Sequence, residues 1–275
     1  MSGAGTAAAP EDACPVAFVE LAGRLADAVR PIVLKLFRGV VTVETKADRS
    51  PVTAADREAE TAMRAMIADA YPDHGILGEE HGNERLEAEY VWVLDPIDGT
   101  NAFVTGKPLF GTLIALTHRG RPVLGVIDMP ALGERWVGAR GRATLFDGAP
   151  AKTRPCAEVA AAWLSATSPG MFADAEAAAF ERLSSGVRRT VYGGDCYNYG
   201  LLASGHLDLV AEAGLKPYDL CSLAPVIEGA GGIISDWRGQ PLTIDSDGRV
   251  LAAGDGHAHA EALTVLAGGG GATSR

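Results

Sequence analysis

The stretch Val91-Trp92-Val93-Leu94-Asp95-Pro96-Ile97-Asp98-Gly99-Thr100 places two carboxylates and a hydroxyl at the end of an apolar run. Tyr90 to Leu94 is short and rich in strand formers, as a buried strand is, and Pro96 is expected to stop its ladder. Gly99 then permits a backbone turn closed to other residues. Asp95 and Asp98 would repel one another beside an apolar strand unless cations lay between them. Magnesium is such a cation, with carboxylate and carbonyl oxygens as its preferred ligands. Taken alone, the same residues also suit a surface turn, where aspartates are common.

Length and composition narrow the field. A chain of 275 residues suffices for one large domain or two closely packed ones, and 47% apolar residues supply a real core. The net charge of -11 argues against a nucleic-acid partner, which needs basic patches. It would also repel an anionic substrate unless metal ions masked the field. Cys14, Cys156, Cys196 and Cys221 are widely spread without a CxxC pair, and read as reduced thiols of a cytoplasmic protein. No apolar run approaches the roughly 18 residues of a membrane span. Met1 to Pro10 lacks the basic start and apolar centre of a signal peptide. Residues 1–11 and 269–275 are expected to be disordered.

Phe18 to Phe37 has helical periodicity, with Pro31 expected to kink or end it. Val40 to Glu44 alternates weakly, as a short strand would. Ser50-Pro51 suits a helix start, and that helix should run to about Ala70. From Tyr90 to Phe146 strands dominate, with a hairpin at Arg119-Gly120-Arg121-Pro122 and a turn at Leu132-Gly133. Further strands are expected at Ala161–Ala166, Val187–Tyr192 and Leu207–Ala211, and around Ile233 and Val250. Helices are expected near Asp174–Leu183, Cys196–Ala203, Asp219–Gly229 and His257–Ala267. This change of rhythm divides the chain into residues 12–150, an α+β half, and residues 151–268, an α/β half.

On the helix opened by Ser50-Pro51, Asp56 falls on the stripe of Val52, Ala59 and Met63. A carboxylate there needs a cation or a lysine such as Lys46, unless it reaches solvent at the flank of the stripe. Gly78-Glu79-Glu80 follows Ile76-Leu77 and sets two acids at a strand end, although such pairs are common in solvated loops. Asp219, after Lys216-Pro217-Tyr218, opens a helix as a cap, a ligand or both. Glu79, Asp95, Asp98 and Asp219 thus all sit where an element begins or ends, where α/β proteins place their sites. No GxSxG, P-loop or HExxH occurs; His118, His206, His257 and His259 read as surface or turn residues. Oxygen ligands remain, which suits Mg²⁺ and argues against zinc.

In order, Val52-Thr53-x-x-Asp56, Gly78-Glu79-Glu80, Asp95-Pro96-Ile97-Asp98-Gly99-Thr100 and Tyr218-Asp219 resemble the motifs of the inositol monophosphatase family. These are lithium-sensitive, magnesium-dependent phosphatases, and the resemblance spans nearly the whole chain. The last motif usually reads Trp-Asp; Tyr218 keeps an aromatic beside the aspartate. Within the family the text is most similar to the histidinol-phosphate phosphatase branch. The segments that carry this are Thr105 to Thr112, Gly214 to Asp219, Pro225 to Gly232, and Gly194-Asp195. Inositol phosphatases typically have small neutral residues where Asp195 stands. An aspartate there suits a cationic substrate with an amine and an imidazole, or else a cap on the helix from Cys196.

The resemblance implies an α/β (α+β) fold, a layered αβαβα sandwich with the site at the junction of the halves. The first half would carry most metal ligands, the second the substrate residues and the last metal aspartate. Two or three Mg²⁺ ions would bind: one on Glu79, Asp95 and the Ile97 carbonyl, one on Asp95, Asp98 and Asp219, and a weaker one on Glu79 and waters. Glu79 and Thr100 would orient the attacking water, and Asp56, behind Thr100, would accept its proton. Substrate would lie against Ile97, Asp98, Gly99, Thr100, Asp195, Glu212 and Asp219. The implied reaction is hydrolysis of L-histidinol phosphate to L-histidinol and phosphate, in histidine biosynthesis. Inositol monophosphatase or broad phosphomonoesterase activity is the alternative. A non-catalytic regulatory binding protein would be favoured by loss of a metal carboxylate, and no matched one is missing. The expected partners are a small phosphate monoester and a second copy in a homodimer, with no nucleic acid and no membrane.

Overall fold

The protein is described here by a computed structural model covering residues 13–39, 44–45, 51–52 and 54–268, the two dipeptides by backbone only. The expectations for both termini, for most of Val40 to Glu44, and for Lys46, Ser50 and Thr53 lie outside the described residues.

Helix α1 (Val16–Leu36), the paired dipeptides β1 (Glu44–Thr45) and β2 (Pro51–Val52), and helix α2 (Ala54–Ala70) come first. Helix α1 does not end at Pro31 but continues to Leu36. Phe18, Leu21, Ala22, Leu25, Ala26, Val29 and Val33 form one buried stripe on both sides of the proline. Burying several such side chains, at about 1.5–3 kcal/mol for each large one, outweighs the roughly 3 kcal/mol cost of a mid-helix proline. Helix α2 starts at Ala54 rather than at Ser50-Pro51, because Pro51 pairs with Thr45 in a strand.

The first sheet comprises β3 (Gly75–Gly78), β4 (Asn83–Glu84), β5 (Tyr90–Asp98), β6 (Gly111–His118), β7 (Arg121–Met129), β8 (Glu134–Ala139), β9 (Leu145–Phe146) and β10 (Ala149–Pro150). Its eight strands lie in the order β10-β9-β8-β7-β6-β5-β3-β4. Only β3 and β5 pair in parallel. Helix α3 (Thr100–Val104) leaves the end of β5. The expected hairpin joins β6 to β7 through Arg119 and Gly120, both at positive φ as a two-residue loop requires.

The second sheet comprises β11 (Trp163–Ala166), β12 (Arg189–Tyr192), β13 (Leu209–Glu212), β14 (Ile233–Ser235) and β15 (Val250–Ala253), in the order β12-β11-β13-β15-β14. The helices of this half are α4 (Asp174–Gly186), α5 (Tyr197–Ala203), α6 (Pro217–Leu220), α7 (Leu223–Gly229) and α8 (Gly256–Leu266). The single helix expected over Asp219–Gly229 is split between α6 and α7. Pro225 has no N–H to give the Cys221 carbonyl, and the break falls in the turn before it, at Cys221 and Ser222.

Three apolar interiors separate five layers. Helices α1 and α2 cover the outer face of the first sheet. Helices α5, α6 and α7 fill the space between the sheets, and α4 and α8 cover the far face of the second. The chain is therefore the αβαβα sandwich that the sequence predicts. Strand β5 shows how the pattern works: Trp92 and Leu94 point into the first interior, Val91 and Val93 into the second. A strand buried on both faces is apolar throughout, which is why it reads as an unbroken run. One histidine was misjudged. His259 is buried, and its Nε2 lies 2.9 Å from the Ser235 hydroxyl.

Helix α7 lies so close to the first sheet that a Cβ on Gly138 would collide with the Pro225 carbonyl. Gly138→Ala should cost about 1–3 kcal/mol through overpacking, read as a lower urea midpoint. Gly186→Ala, which meets open space at the end of α4, should be neutral or slightly stabilising. Equal midpoints for the two variants would refute the close approach.

Candidate active site

The ladder of β5 does not stop at Pro96. It continues to Asp98, which pairs with Gly111, across a register shift between Asp95 and Asp98. The proline sits in this irregular stretch, where a missing N–H breaks no ladder bond. Its carbonyl accepts the Thr112 hydroxyl at 2.8 Å. Asp95 accepts the Ile97 N–H at 3.0 Å, which folds its carboxylate back over the strand end. Gly99 lies in the left-handed region at φ 80° and begins α3. The Thr100 hydroxyl donates to the Ile97 carbonyl at 3.1 Å, leaving that oxygen a second lone pair.

Asp219 comes to the same place from the other half. Pro217 occupies the first turn of α6, and the Asp219 carboxylate accepts the Lys216 N–H at 2.6 Å. Asp219 is thus inside the first turn rather than the cap. Asp98 is fixed across the layers by the Cys196 N–H at 2.7 Å. Oxygens of Asp95, Asp98 and Asp219 all lie within 4.8 Å of one another. Asp95 is 1% exposed. Burial drives its pKa far up, and the charges of Glu79, Asp98, Asp219 and Asp56 push in the same direction. Asp98 is raised likewise, by burial and then by Asp195 and Asp219. Asp219 rises to about 7. Buried oxygens that repel one another and hold protons in the absence of a cation form a donor set suited to Mg²⁺.

Glu79 and Asp56 lie near enough to act on Asp95 by charge, though neither shares the tight triad. The Glu79 N–H donates to the Leu94 carbonyl at 3.3 Å, so Glu79 extends the β3–β5 pairing by one residue. Asp56 is buried at 2% exposure on the inner stripe of α2, beside Ala59 and Met63.

A cavity of about 150 Å³ adjoins the triad; Asp98, Asp195, Glu212, Asp219 and Thr167 help line it. Asp195 does not cap α5, which begins with Cys196 as its cap residue. It adopts φ 46°, and a Cβ on Gly99 would lie 3.1 Å from its carboxylate. Burial lifts the Asp195 pKa to about 6, with Lys107 opposing. Glu212 is anchored through both oxygens, by the Thr167 N–H at 2.7 Å and the Tyr199 hydroxyl at 2.9 Å.

Several of these contributors escaped the sequence reading. The Cys196 and Lys216 contributions are backbone N–H groups, for which side-chain identity carries no signal. Tyr199 looks like core on an apolar helix face, and is core except for its hydroxyl. Lys107 follows the turn after α3, with no sequence pattern that ties it to Asp195.

An αβαβα sandwich with an acidic, oxygen-only centre between its sheets defines a class of cation-assisted enzymes. The chain belongs to the inositol monophosphatase family, whose pattern it matches over residues 16–268. It is 48% identical over 258 residues to the chloroplastic bifunctional phosphatase IMPL2 of Arabidopsis thaliana, covering 90% of this chain and 75% of that one. It is 36% identical over 238 residues to a histidinol-phosphatase of Chlorobaculum parvum, covering 85% and 91% respectively. An inositol monophosphatase structure from Zymomonas mobilis matches with a TM-score of 0.85 at 49% identity, covering 91% of this chain and 98% of that one. Family membership supports a phosphoric monoester hydrolase. Among the described residues no helix is long and apolar enough to cross a membrane.

The raised carboxylate pKa values have a thermodynamic sign. Between the ordinary aspartate value of 3.8 and about 7, native Asp219 holds a proton that the unfolded chain releases. Its contribution to metal-free stability therefore falls as pH rises through that window. Asp98→Asn removes one of the repelling charges, so it should raise the metal-free Tm more at about pH 8 than at about pH 5. An equal shift at both pH values, read by calorimetry, would remove Asp98 from the cluster.

Proposed function

We propose that the protein is a Mg²⁺-dependent phosphoric monoester hydrolase whose preferred substrate is L-histidinol phosphate. One observation carries the substrate: Asp195 and Glu212 line the same cavity as Asp98 and Asp219. A phosphate at the triad would leave its alcohol portion against two further carboxylates. Histidinol offers an ammonium and an imidazole there, and charge-assisted hydrogen bonds hold such groups better than they hold a polyol.

Asp95, Asp98, Asp219, Glu79 and the Ile97 carbonyl hold Mg²⁺ in this reading. When bound, the ion would supply neutralising charge for the phosphate and a more acidic water. The protein's own groups do the rest. The amides of Gly99 and Thr100, at the start of α3, face the phosphate oxygens. Thr100 and Glu79 orient the attacking water. Relay of the water's proton to Asp56 would require the Thr100 hydroxyl to turn from the Ile97 carbonyl, to which it donates at 3.1 Å. A second reading, hydrolysis of inositol monophosphate by the same centre, is favoured by the likeness to a bifunctional phosphatase and to an inositol monophosphatase.

Phosphate release should require Mg²⁺, stop with excess chelator and fall on adding Ca²⁺, whose longer bonds and higher coordination number spoil the geometry. Full turnover in chelator would end the metal reading. In a panel of phosphate esters, histidinol phosphate should be hydrolysed with the highest kcat/KM; a preference for inositol phosphate would refute the substrate.

Asp195→Ala should weaken histidinol phosphate binding by about 1.5–3 kcal/mol, seen in KM, with little change for a generic phosphomonoester. If both substrates suffered equally, Asp195 would serve only the local fold.

A further inference from the structure

Helix α2 grips the turn that follows Glu79 through residues between Arg57 and Arg64. Glu60, one helical turn beyond Asp56, is 0% exposed. Its Oε2 accepts the Glu80 N–H at 2.7 Å, and its Oε1 accepts the His81 N–H at 3.1 Å and the Arg64 Nε–H at 2.7 Å. Arg64 continues the chain of contacts, donating to the Gly82 carbonyl and to Glu84 at 3.0 Å. The His81 ring lies 3.1 Å from both the Arg57 carbonyl and the Thr61 hydroxyl. Gly78 completes the fit, since a Cβ there would collide with the Glu60 carboxylate. Glu79 is therefore held from both sides: its own N–H continues the β3–β5 ladder, and the next two N–H groups are fixed by one buried carboxylate.

We infer that Glu60 is the positioning residue that aims Glu79 at the cation. This rests on the reading of Glu79 as a Mg²⁺ ligand. Three donors converge on Glu60 and none of its neighbours there asks for a donor in return. A carboxylate is acceptor-only and meets that demand, whereas a glutamine amide would turn an N–H toward another N–H or toward Arg64. The same helix face thus supplies two buried acids with different tasks. Asp56 acts on the reacting centre through its charge, and Glu60 acts on backbone. Replacing a group that orients a metal ligand commonly weakens binding of the ion about 10- to 100-fold.

The test titrates Mg²⁺ into the metal-free full chain by calorimetry, beside thermal melts and turnover against Mg²⁺ concentration. Glu60→Gln should raise the Mg²⁺ Kd by about 10- to 100-fold. Turnover should return toward wild type as Mg²⁺ is raised, because every ligand is intact. Glu79→Gln is the reference. If Glu79→Gln weakens binding while Glu60→Gln only lowers the metal-free Tm, Glu60 is structural and the inference is overturned. If neither substitution changes Mg²⁺ binding, the ligand reading itself has failed, and the inference with it. Should Glu60→Gln not fold, Glu60→Asp decides, because it keeps the charge but, one methylene shorter, cannot hold both the Glu80 and His81 N–H groups. A smaller rise in Kd is expected for it, and wild-type affinity would overturn the inference.

Discussion

The structure is organised around an electrostatic conflict: Asp95, buried, and Asp98 and Asp219, half-buried, hold carboxylate oxygens within 4.8 Å of one another. Like charges in a poorly solvated volume raise one another's pKa and cost stability whenever they ionise. The fold tolerates this because its stability is generated elsewhere, in three apolar interiors. The triad lies at their edge, at the end of β5 and the start of α6, so it interrupts none of them. A layered fold suits such a site, since two elements from different layers can converge without either giving up its packed face.

The acids are oriented before any ligand arrives. Asp95 is tied to the Ile97 N–H, Asp98 to the Cys196 N–H and Asp219 to the Lys216 N–H. The pattern recurs outward, with Glu212 on the Thr167 N–H and Glu60 on those of Glu80 and His81. Backbone donors belong to the fold and cost little to position, which makes them effective in fixing a carboxylate with one oxygen still directed at the site. The bond between Asp98 and Cys196 also ties the end of the first sheet to the helix that packs under the second. Assembly of the centre is thereby coupled to docking of the two sheets.

Much of this was legible in the residues. The apolar run from Tyr90 to Leu94 announced a strand buried on both faces, and the acids after it announced a site. The errors have common physical causes. Pro31 and Pro96 were read by local rules, but a buried stripe carries α1 through the first and a register shift accommodates the second. Pro225 was overlooked as the break in the helix after Asp219. Glu60 looks like one charge among several on a polar helix, and only the turn packed against it reveals two backbone donors beside Arg64. Asp195 gave a resemblance but not a position, because its left-handed backbone depends on the neighbouring glycines.

That backbone bears on the alcohol side of the site. A non-glycine residue in the left-handed region costs roughly 1–3 kcal/mol, although aspartate tolerates it better than most. The Asp195 carboxylate lies against Gly99, where an added Cβ would come within 3.1 Å of it. No cap bond is gained in exchange, since α5 begins without a side-chain cap. What the conformation does achieve is a second acidic group beside Asp98, partly offset by Lys107. Another carboxylate adds repulsion to a centre already crowded with negative charge, so packing and stability give no reason to retain it. The proposed cationic leaving group would provide one, because its charge would relieve at Asp195 the same repulsion that Mg²⁺ would relieve at the triad.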